Sequence, residues 1–307
     1  MSSLPKKLDI GAVITTFRPD DNFPERVARI QSQVGLTVIV DDGACRENVV
    51  RLQQWFGDNT GVHLHHNPVN QGIAASLNKG ITIASQAGYN WVLTLDDDTV
   101  VAADMVETFI GWWSRLADEV DKPIGVMGML ARDPYHGQAD SRRDGNRQGF
   151  VEKRHLVTSG CLMSLEAYRA IGPFREEFFI DWVDYDYCLR ARQKGFRVIQ
   201  LSQVGMIHPV GRVTEHRFWR FKVITSNHPP FRRYYWYRNS LILAKEYLFL
   251  DPLFSAALFS AQIVTFFLVL LCEENRKEKL RLIMHGIIDG WRNHLGKFSY
   301  NHVREVA

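Results

Sequence analysis

Through the first two hundred residues, short apolar runs rich in β-branched residues alternate with segments whose apolar positions recur every three to four residues. Residues 8–17 (LDIGAVITTF) form one such run, and 36–40 (LTVIV) a second that closes on Asp41-Asp42-Gly43. Residues 61–66 are a weaker third, and 89–95 (YNWVLTL) a fourth that closes on Asp96-Asp97-Asp98. Between them, residues 70–87 carry Ile73, Leu77, Ile81 and Ala84 on one stripe, which is helical spacing. Helices over 102–120 and 183–194, the latter stopped by Gly195, and strands over 124–130, 156–165 and 197–201 continue the alternation. The polar stretch 133–147, with Arg142, Arg143 and Arg147, reads as a mobile loop. The pattern predicts an α/β fold with a mainly parallel central sheet flanked by helices. In such sheets ligands gather outside the carboxyl ends of the strands, and both acidic clusters fall there.

The tail follows another pattern. Residues 253–272 carry no charge, long enough for a membrane span, but Ser255, Ser260, Gln262 and Thr265 interrupt the run. Beyond it Leu280, Met284, Ile287, Trp291 and Leu295 share a helical stripe beside Lys279, Arg281, Arg292 and Lys297, a basic amphipathic pattern suited to a membrane interface. A helical C-terminal appendage is therefore expected, in contact with a membrane surface or with a second copy of the chain. The net charge of +3 divides unevenly: from residue 206 onward there are 15 basic and 8 acidic residues, and before it 22 and 26. A basic tail looks for an anionic partner, and the long apolar run within it disfavours nucleic acid.

Composition removes other classes. With 46% hydrophobic and 23% charged residues over 307 positions, the chain is neither disordered nor fibrous. Its four cysteines form no C-x-x-C pair, which argues against a zinc ribbon or disulfide framework. The first nine residues hold no apolar leader core, so a reducing cytoplasmic setting is expected. No G-x-G-x-x-G or Walker sequence is present, which disfavours a dinucleotide fold or a P-loop enzyme.

The acidic groups carry the candidate chemistry. Asp96 and Asp98, one residue apart at a strand end, can offer oxygens to one divalent ion, with Mg²⁺ or Mn²⁺ preferring such hard ligands plus substrate phosphates. A solvated acidic turn is the plain alternative, weakened by Asp41 and Asp42 at the end of a second strand. One of that second pair suits a hydrogen bond from the N–H of a pyrimidine base. In Asp181-Trp182-Val183-Asp184-Tyr185-Asp186, a carboxylate against an aromatic wall can act as a general base. An acidic helix N-terminus opposing the macrodipole fits the same residues. His208 is a candidate metal or phosphate ligand. His63, His65 and His66 read as surface positions, and Cys161 and Cys188 as buried thiols.

In order along the chain, VITTF-R-P, VDDG, N-x-G-x-A-x-x-x-N-x-G, LDDD, SGCL and FFIDWVDYDYCLR-x-x-x-x-G resemble the family 2 glycosyltransferases over residues 8–210. T-F-R-P-D, FID-x-VD-x-D-x-CLRA, the run Tyr237-Arg238-Asn239 and the closing GIIDGWRNHLGK look most like the bacterial rhamnosyltransferases. The resemblance implies a GT-A fold. It divides the chain into a catalytic domain over 1–210, with a nucleotide-sugar half (about 1–100) and an acceptor half (101–210), and a helical region over 211–307 for membrane-surface or dimer contacts.

Carried over by matching residues, Thr16 and Asp42 contact the nucleotide, with Asp41 beside them. Asn70, Gly72 and Asn78 shape the nucleotide-sugar pocket, to which Asp96 and Asp97 also belong. Asp96, Asp98 and His208 hold the metal, Asp184 deprotonates the acceptor, and Asp181, Trp182 and Asp186 contact it. Gln71 stands where an apolar residue is common. Val183 stands where many relatives carry Glu, which leaves Asp184 or Asp186 to serve as base. The implied activity is an inverting, metal-dependent transfer of L-rhamnose from dTDP-L-rhamnose to a surface polysaccharide such as O-antigen, or its lipid-linked precursor. Its expected place is peripheral, at the inner face of the cytoplasmic membrane. A galactofuranosyltransferase using UDP-galactofuranose and a non-catalytic nucleotide-sugar-binding or scaffold protein are the rival readings.

Overall fold

The computed structural model describes residues 4–43, 45–118, 122–133, 137–138, 149–209, 214–218 and 221–299. The chain divides into two compact units, one of residues 1–175 and 184–209, the other of residues 176–183 and 210–307.

The first unit runs β1 (Ile10–Thr16), α1 (Phe23–Gln31), β2 (Leu36–Asp41), α2 (Arg46–Phe56), β3 (Val62–His66), α3 (Ile73–Gln86), β4 (Trp91–Asp96), β5 (Val100–Val101) and α4 (Met105–Asp118). It continues through β6 (Ile124–Asp133), β7 (Gly137–Gln138), β8 (Phe150–Glu152), β9 (Cys161–Ser164), α5 (Leu165–Ile171), α6 (Val183–Gln193) and β10 (Arg197–Ile207). The sheet order is β3-β2-β1-β4-β9-β6-β10-β5, with β7 on β6 and β8 on β10. The β3-β2-β1-β4 half is parallel, and β9 joins it to β6 antiparallel to both. β1 is buried at all seven positions, as a strand covered on both faces must be. One cover is α1, whose Phe23, Val27 and Ile30 recur at helical spacing and are all buried.

Three sequence expectations shift at their edges. The helix expected from residue 70 starts at Ile73, because the backbone N–H groups of Gln71 and Gly72 are held by Asp42. The strand expected over 156–165 shrinks to β9, since the carbonyl of Thr158 accepts from the Thr94 hydroxyl and Gly160 turns at φ +77°. The strand expected to end at 201 runs on to Ile207. Of the loop expected over 133–147, residues 134–136 and 139–148 lie outside the described residues, and Gly137–Gln138 pair with β6.

The second unit holds a 3₁₀ turn (Glu176–Phe178), the hairpin β11 (Thr214–Phe218) and β12 (Phe221–Thr225), and three helices, α7 (Pro230–Glu246), α8 (Pro252–Cys272) and α9 (Arg276–Arg292). Helix α7 is its axis, with eleven buried residues spread around its circumference. Gly286 and Gly290, one turn apart on α9, let that helix close on α7. A Cβ at Gly286 would meet the Tyr234 carbonyl oxygen at 2.5 Å, and one at Gly290 the Arg238 oxygen at 2.9 Å. The α9 helix ends at Asn293, which turns left-handed at φ 57°, so Leu295 lies beyond the stripe expected for it.

Candidate active site

Strand register assembles the site in the first unit. Thr16 pairs across from Asp41, Asp41 from His66, and Thr15 from Asp96. Four carboxyl ends of parallel strands therefore present polar side chains along one edge, as the switch-point rule requires. On the far side of the sheet β5 runs antiparallel to β10, with Val100 across from Ile207, which delivers His208 next to Thr99.

Asp96, Asp98 and His208 each offer one donor atom, all within 4.8 Å of one another. His208 Nε2 lies 3.7 Å from Asp96 Oδ2, and its Nδ1 lies 3.1 Å from Asp98 Oδ1. Burial lowers the imidazole's proton affinity, but the neighbouring carboxylates of Asp98 and Asp96 outweigh it and hold the ring above its ordinary pKa. Asp98 Oδ1 is buried, with the His208 ring nitrogen as its close polar neighbour. Two carboxylates gathered on one imidazole are a setting that a cation would stabilise. Two carboxylates and an imidazole fit Mn²⁺ or Mg²⁺ with room for phosphate oxygens.

Along the parallel edge, the Thr16 hydroxyl donates to Asp97 Oδ2 at 2.7 Å, and Arg26 Nε donates to the Asp97 carbonyl at 2.6 Å. Burial pushes the Asp97 carboxyl up, against the pull of the Thr16 hydrogen bond. Asp41 is fully buried, with Oδ2 3.0 Å from His66 Nδ1 and Oδ1 without a hydrogen bond. Asp42 faces inward to the loop before α3: Asn67 Nδ2 and the backbone N–H groups of Gln71 and Gly72 donate to it at 2.8–3.0 Å. Gly43 makes this docking possible. It adopts φ +71°, and a Cβ there would lie 2.1 Å from the Val69 carbonyl carbon. Asn70 Oδ1 accepts from the Gly72 N–H at 3.2 Å. The Asn78 amide spans the Phe174 backbone and the Tyr168 hydroxyl at 2.7–2.9 Å.

At the start of α6, Asp184 shares a small pocket with Leu156, Val157, Cys161, Phe174 and Tyr187, and its Oδ1 accepts the Tyr185 N–H at 2.9 Å. Burial drives the Cys161 thiol pKa well up, with Cys188, Asp184 and Asp96 adding to the rise. Burial also pushes the Cys188 thiol up to about 12, so both cysteines stay protonated. Tyr185 stacks on His155 at 3.6 Å; burial takes the phenol to about 12 and the imidazole to about 4. Asp186 is 2% exposed and paired with Arg190 at 2.8 Å and Arg175 at 3.6 Å.

Asp181 and Trp182 belong to the second unit. Asp181 pairs with Arg232, and Trp182 packs on Trp236 at 5.6 Å. Phe179, Asp181 and Trp182 are all left-handed, with φ between 63° and 67°. Such backbone persists only where surroundings over-determine it. Here Asn239 Nδ2 lies 2.9 Å from the carbonyls of Phe178, Ile180 and Asp181, and Arg238 donates to those of Glu177 and Phe178.

The sequence reading missed His66, taken as surface, and the hydroxyls of Thr99 and Ser159. Counting β3 against β2 in parallel register would have set His66 opposite Asp41. Ser159 opens the SGCL motif, which marked the segment but not its partner, and Thr99 carried no comparable signal.

The fold is that of a GT-A glycosyltransferase. The S. aureus TarS fragment 1–349, solved in complex with UDP, superposes with a TM-score of 0.57 at 12% identity, over 92% of this chain and 80% of that one. The mannosyltransferase PcManGT from Pyrobaculum calidifontis, solved with GDP-Man and Mn²⁺, gives 0.56 at 13% identity, over 94% and 88%. The family description Glycosyl transferase family 2 matches residues 12–172, and the chain belongs to that family. It is similar to the dTDP-rhamnosyl transferase RfbF of Shigella flexneri, with 27% identity over 95% of this chain and 99% of that one. The protein is a glycosyltransferase.

Proposed function

We propose that the chain is an inverting, divalent-metal-dependent rhamnosyltransferase, which moves L-rhamnose from dTDP-L-rhamnose to a hydroxyl of a cell-surface polysaccharide such as O-antigen or of its lipid-linked precursor. The observation that carries this reading is the near end-to-end similarity to a dTDP-rhamnosyl transferase. The acidic edge of the first unit supplies the chemistry.

The donor's nucleotide lies along the strand ends bearing Thr16, Asp41 and Asp97. The free buried Oδ1 of Asp41 is suited to the N–H of a pyrimidine. Asp42 and Asn70 shape the pocket through the 70–72 loop, and Asn78 through the α3 core. Asp96, Asp98 and His208 hold Mg²⁺ or Mn²⁺, which when bound neutralises charge on the departing diphosphate. Asp184 accepts the proton of the acceptor hydroxyl as that oxygen attacks the anomeric carbon from the face opposite the diphosphate, so the carbon inverts. A diphosphate leaving group needs no second carboxylate acid, in contrast to glycoside hydrolysis. Asp181 and Trp182 contact the acceptor, while Asp186, held by two arginines, supports α6.

The chain works peripherally at the inner face of the cytoplasmic membrane. The apolar face of α8 and the exposed Lys277 and Arg281 of α9 support that location. Purified full-length protein, given a panel of nucleotide-sugars with a synthetic lipid-linked acceptor and Mn²⁺, is expected to release nucleoside diphosphate fastest from dTDP-L-rhamnose. A product retaining the donor's anomeric configuration, or preference for UDP-galactofuranose, would overturn the reading.

A further inference from the structure

Behind the Asp96–Asp98–His208 group runs a short chain of hydroxyls. Ser159 Oγ accepts the backbone N–H of Asp96 at 3.0 Å. It lies 2.7 Å from Thr99 Oγ1, which in turn lies 2.9 Å from His208 Nδ1. Thr99 is 4% exposed and Ser159 2%, so water does not compete for these groups. The Thr99 N–H also bonds back to the Asp96 carbonyl at 3.2 Å, closing the turn that carries all three aspartates. One end of the chain is thus fixed to the end of β4, and the other to the imidazole ring.

Each hydroxyl gap holds one proton, so the chain has two orders. In one, His208 Nδ1–H donates to Thr99 and Thr99 donates to Ser159, which leaves the lone pair on Nε2. In the reverse order Nδ1 is the acceptor and Nε2 carries the proton. Two distances decide between them. Asp98 Oδ1 sits 3.1 Å from Nδ1, where a lone pair would face a carboxylate oxygen and a proton is favoured. Asp96 Oδ2, at 3.7 Å, is too far from Nε2 to receive a hydrogen bond from it. The first order is the favoured one, and it turns the Nε2 lone pair toward Asp96.

We propose that Thr99 and Ser159 are positioning residues of the metal site: their hydroxyl relay fixes the ring of neutral His208, whose Nδ1–H tautomer Asp98 favours, and aims Nε2 at an ion shared with Asp96. Metal-bound histidines are oriented in this way by whatever their second nitrogen bonds. The proposal rests on the metal-site reading above, and the test separates the two.

The full chain, labelled with ¹⁵N-histidine and held at a pH where His208 is neutral, should show a protonated Nδ1 and a bare Nε2. Binding of Mn²⁺ alone, followed by electron paramagnetic resonance, should weaken about 10- to 100-fold in Thr99→Val. Thr99→Ser, which keeps the hydroxyl, should restore it, and Ser159→Ala should weaken it in the same direction. In Thr99→Val the ¹⁵N pattern should still show a protonated Nδ1, because Asp98 Oδ1 faces it, so the loss of affinity reads the orientation of the ring. Wild-type Mn²⁺ affinity in a folded Thr99→Val, alongside loss of binding in Asp98→Ala, would overturn the relay and leave the metal site standing. Unchanged binding in Asp98→Ala would overturn both. Should Thr99→Val fail to fold, the wild-type ¹⁵N spectrum and Ser159→Ala carry the test: a bare Nδ1, or Ser159→Ala with wild-type affinity, overturns the proposal.

Discussion

The two units place their charged groups differently. In the first, apolar side chains fill the space between sheet and helices, from Ile10 and Trp91 to Phe109 and Leu201, and the charged groups that matter stand at strand ends. In the second, charge is taken inside. Arg233, Glu273 and Lys279 are all at most 3% exposed and paired with one another, and Arg238 and Asn239 are fully buried against backbone carbonyls. The second unit's apolar core of Tyr237, Val269, Leu282 and Ile283 coexists with large exposed apolar side chains: Phe249 is 92% exposed and Leu253 81%. A unit that buries ion pairs gains little net stability from them, but it gains a fixed geometry. The candidate chemistry thus stands at an edge of the first unit, while the buried polar groups of the second hold its own segments in place.

The sharpest way to break the contrast is at the strand ends. Asp98→Ala is expected to reduce transfer almost to background with the fold intact, checked by initial rates in Mn²⁺ and by circular dichroism. Excess EDTA should do the same to the parent. Asp184→Asn keeps shape and removes basicity, so kcat should fall at least about 100-fold with donor Kd little changed. If Asp186→Asn is the dead variant instead, the base has been misassigned.

In the second unit, removal of one member of the buried ion cluster should act on stability. Glu273→Ala leaves Arg233 and Lys279 buried without their carboxylate and should cost about 3–5 kcal/mol in urea unfolding. Replacing all three by Met or Leu should recover most of that loss. A Glu273→Ala loss under 1 kcal/mol would show that the charges are already solvated.

How far each unit could be read in advance follows from the same contrast. The strands of the first unit announce themselves because burial on both faces demands continuous apolar runs, as in residues 10–16, and their acidic ends follow in sequence. What could not be read was contact made across the sheet. Ser159 meets Thr99 across a sequence separation of 60, and although Ser159 opens the SGCL motif, nothing local marks its partner. The second unit inverts the legible signals. Helix α7 is buried all round and so lacks an amphipathic stripe, and Lys279, which looked like part of a solvated basic face, is 2% exposed on Glu273. The end of α9 depended on a left-handed Asn293 rather than on the apolar spacing that ran through to Leu295.

A smaller effect tests each unit by pH. Burial lowers His155 in the first unit and His228 in the second to about 4. Unfolded, both would titrate near 6.5. Between those values the unfolded chain binds more protons, so stability is present above pH 6.5 and lost as pH falls toward 4. After discounting for partial exposure, each should contribute about 1–2 kcal/mol to that loss. Melting temperatures at pH 6.5 and 4.5 for His155→Gln and His228→Gln should each show a shallower fall than the parent. Parallel curves would mean that both rings reach water freely.

The smallest expected effect concerns the outer face of α8. At 100° per residue, Ser255, Leu258, Gln262 and Val269 fall on one side and are buried, while Leu253, Ile263, Val264, Phe267 and Leu271 fall on the other and are exposed. The helix is long and apolar enough to cross a membrane. Yet its inward side carries Ser255 and Gln262 and is already occupied: Gln262 Nε2 donates to Ser240 Oγ, and the Tyr237 hydroxyl donates to the Gln262 carbonyl. Spanning would strip those partners away, whereas lying in the interface keeps them and covers only the outer face. Exposed Lys277 and Arg281 on α9 would add roughly 1 kcal/mol each near an anionic surface. Ile263→Glu with Phe267→Glu should therefore lower partitioning onto anionic vesicles several-fold without changing the melting temperature, and salt should weaken the parent's binding. If the pair leaves vesicle binding untouched but dissociates a dimer in sedimentation, the outer face meets a second copy of the chain rather than lipid.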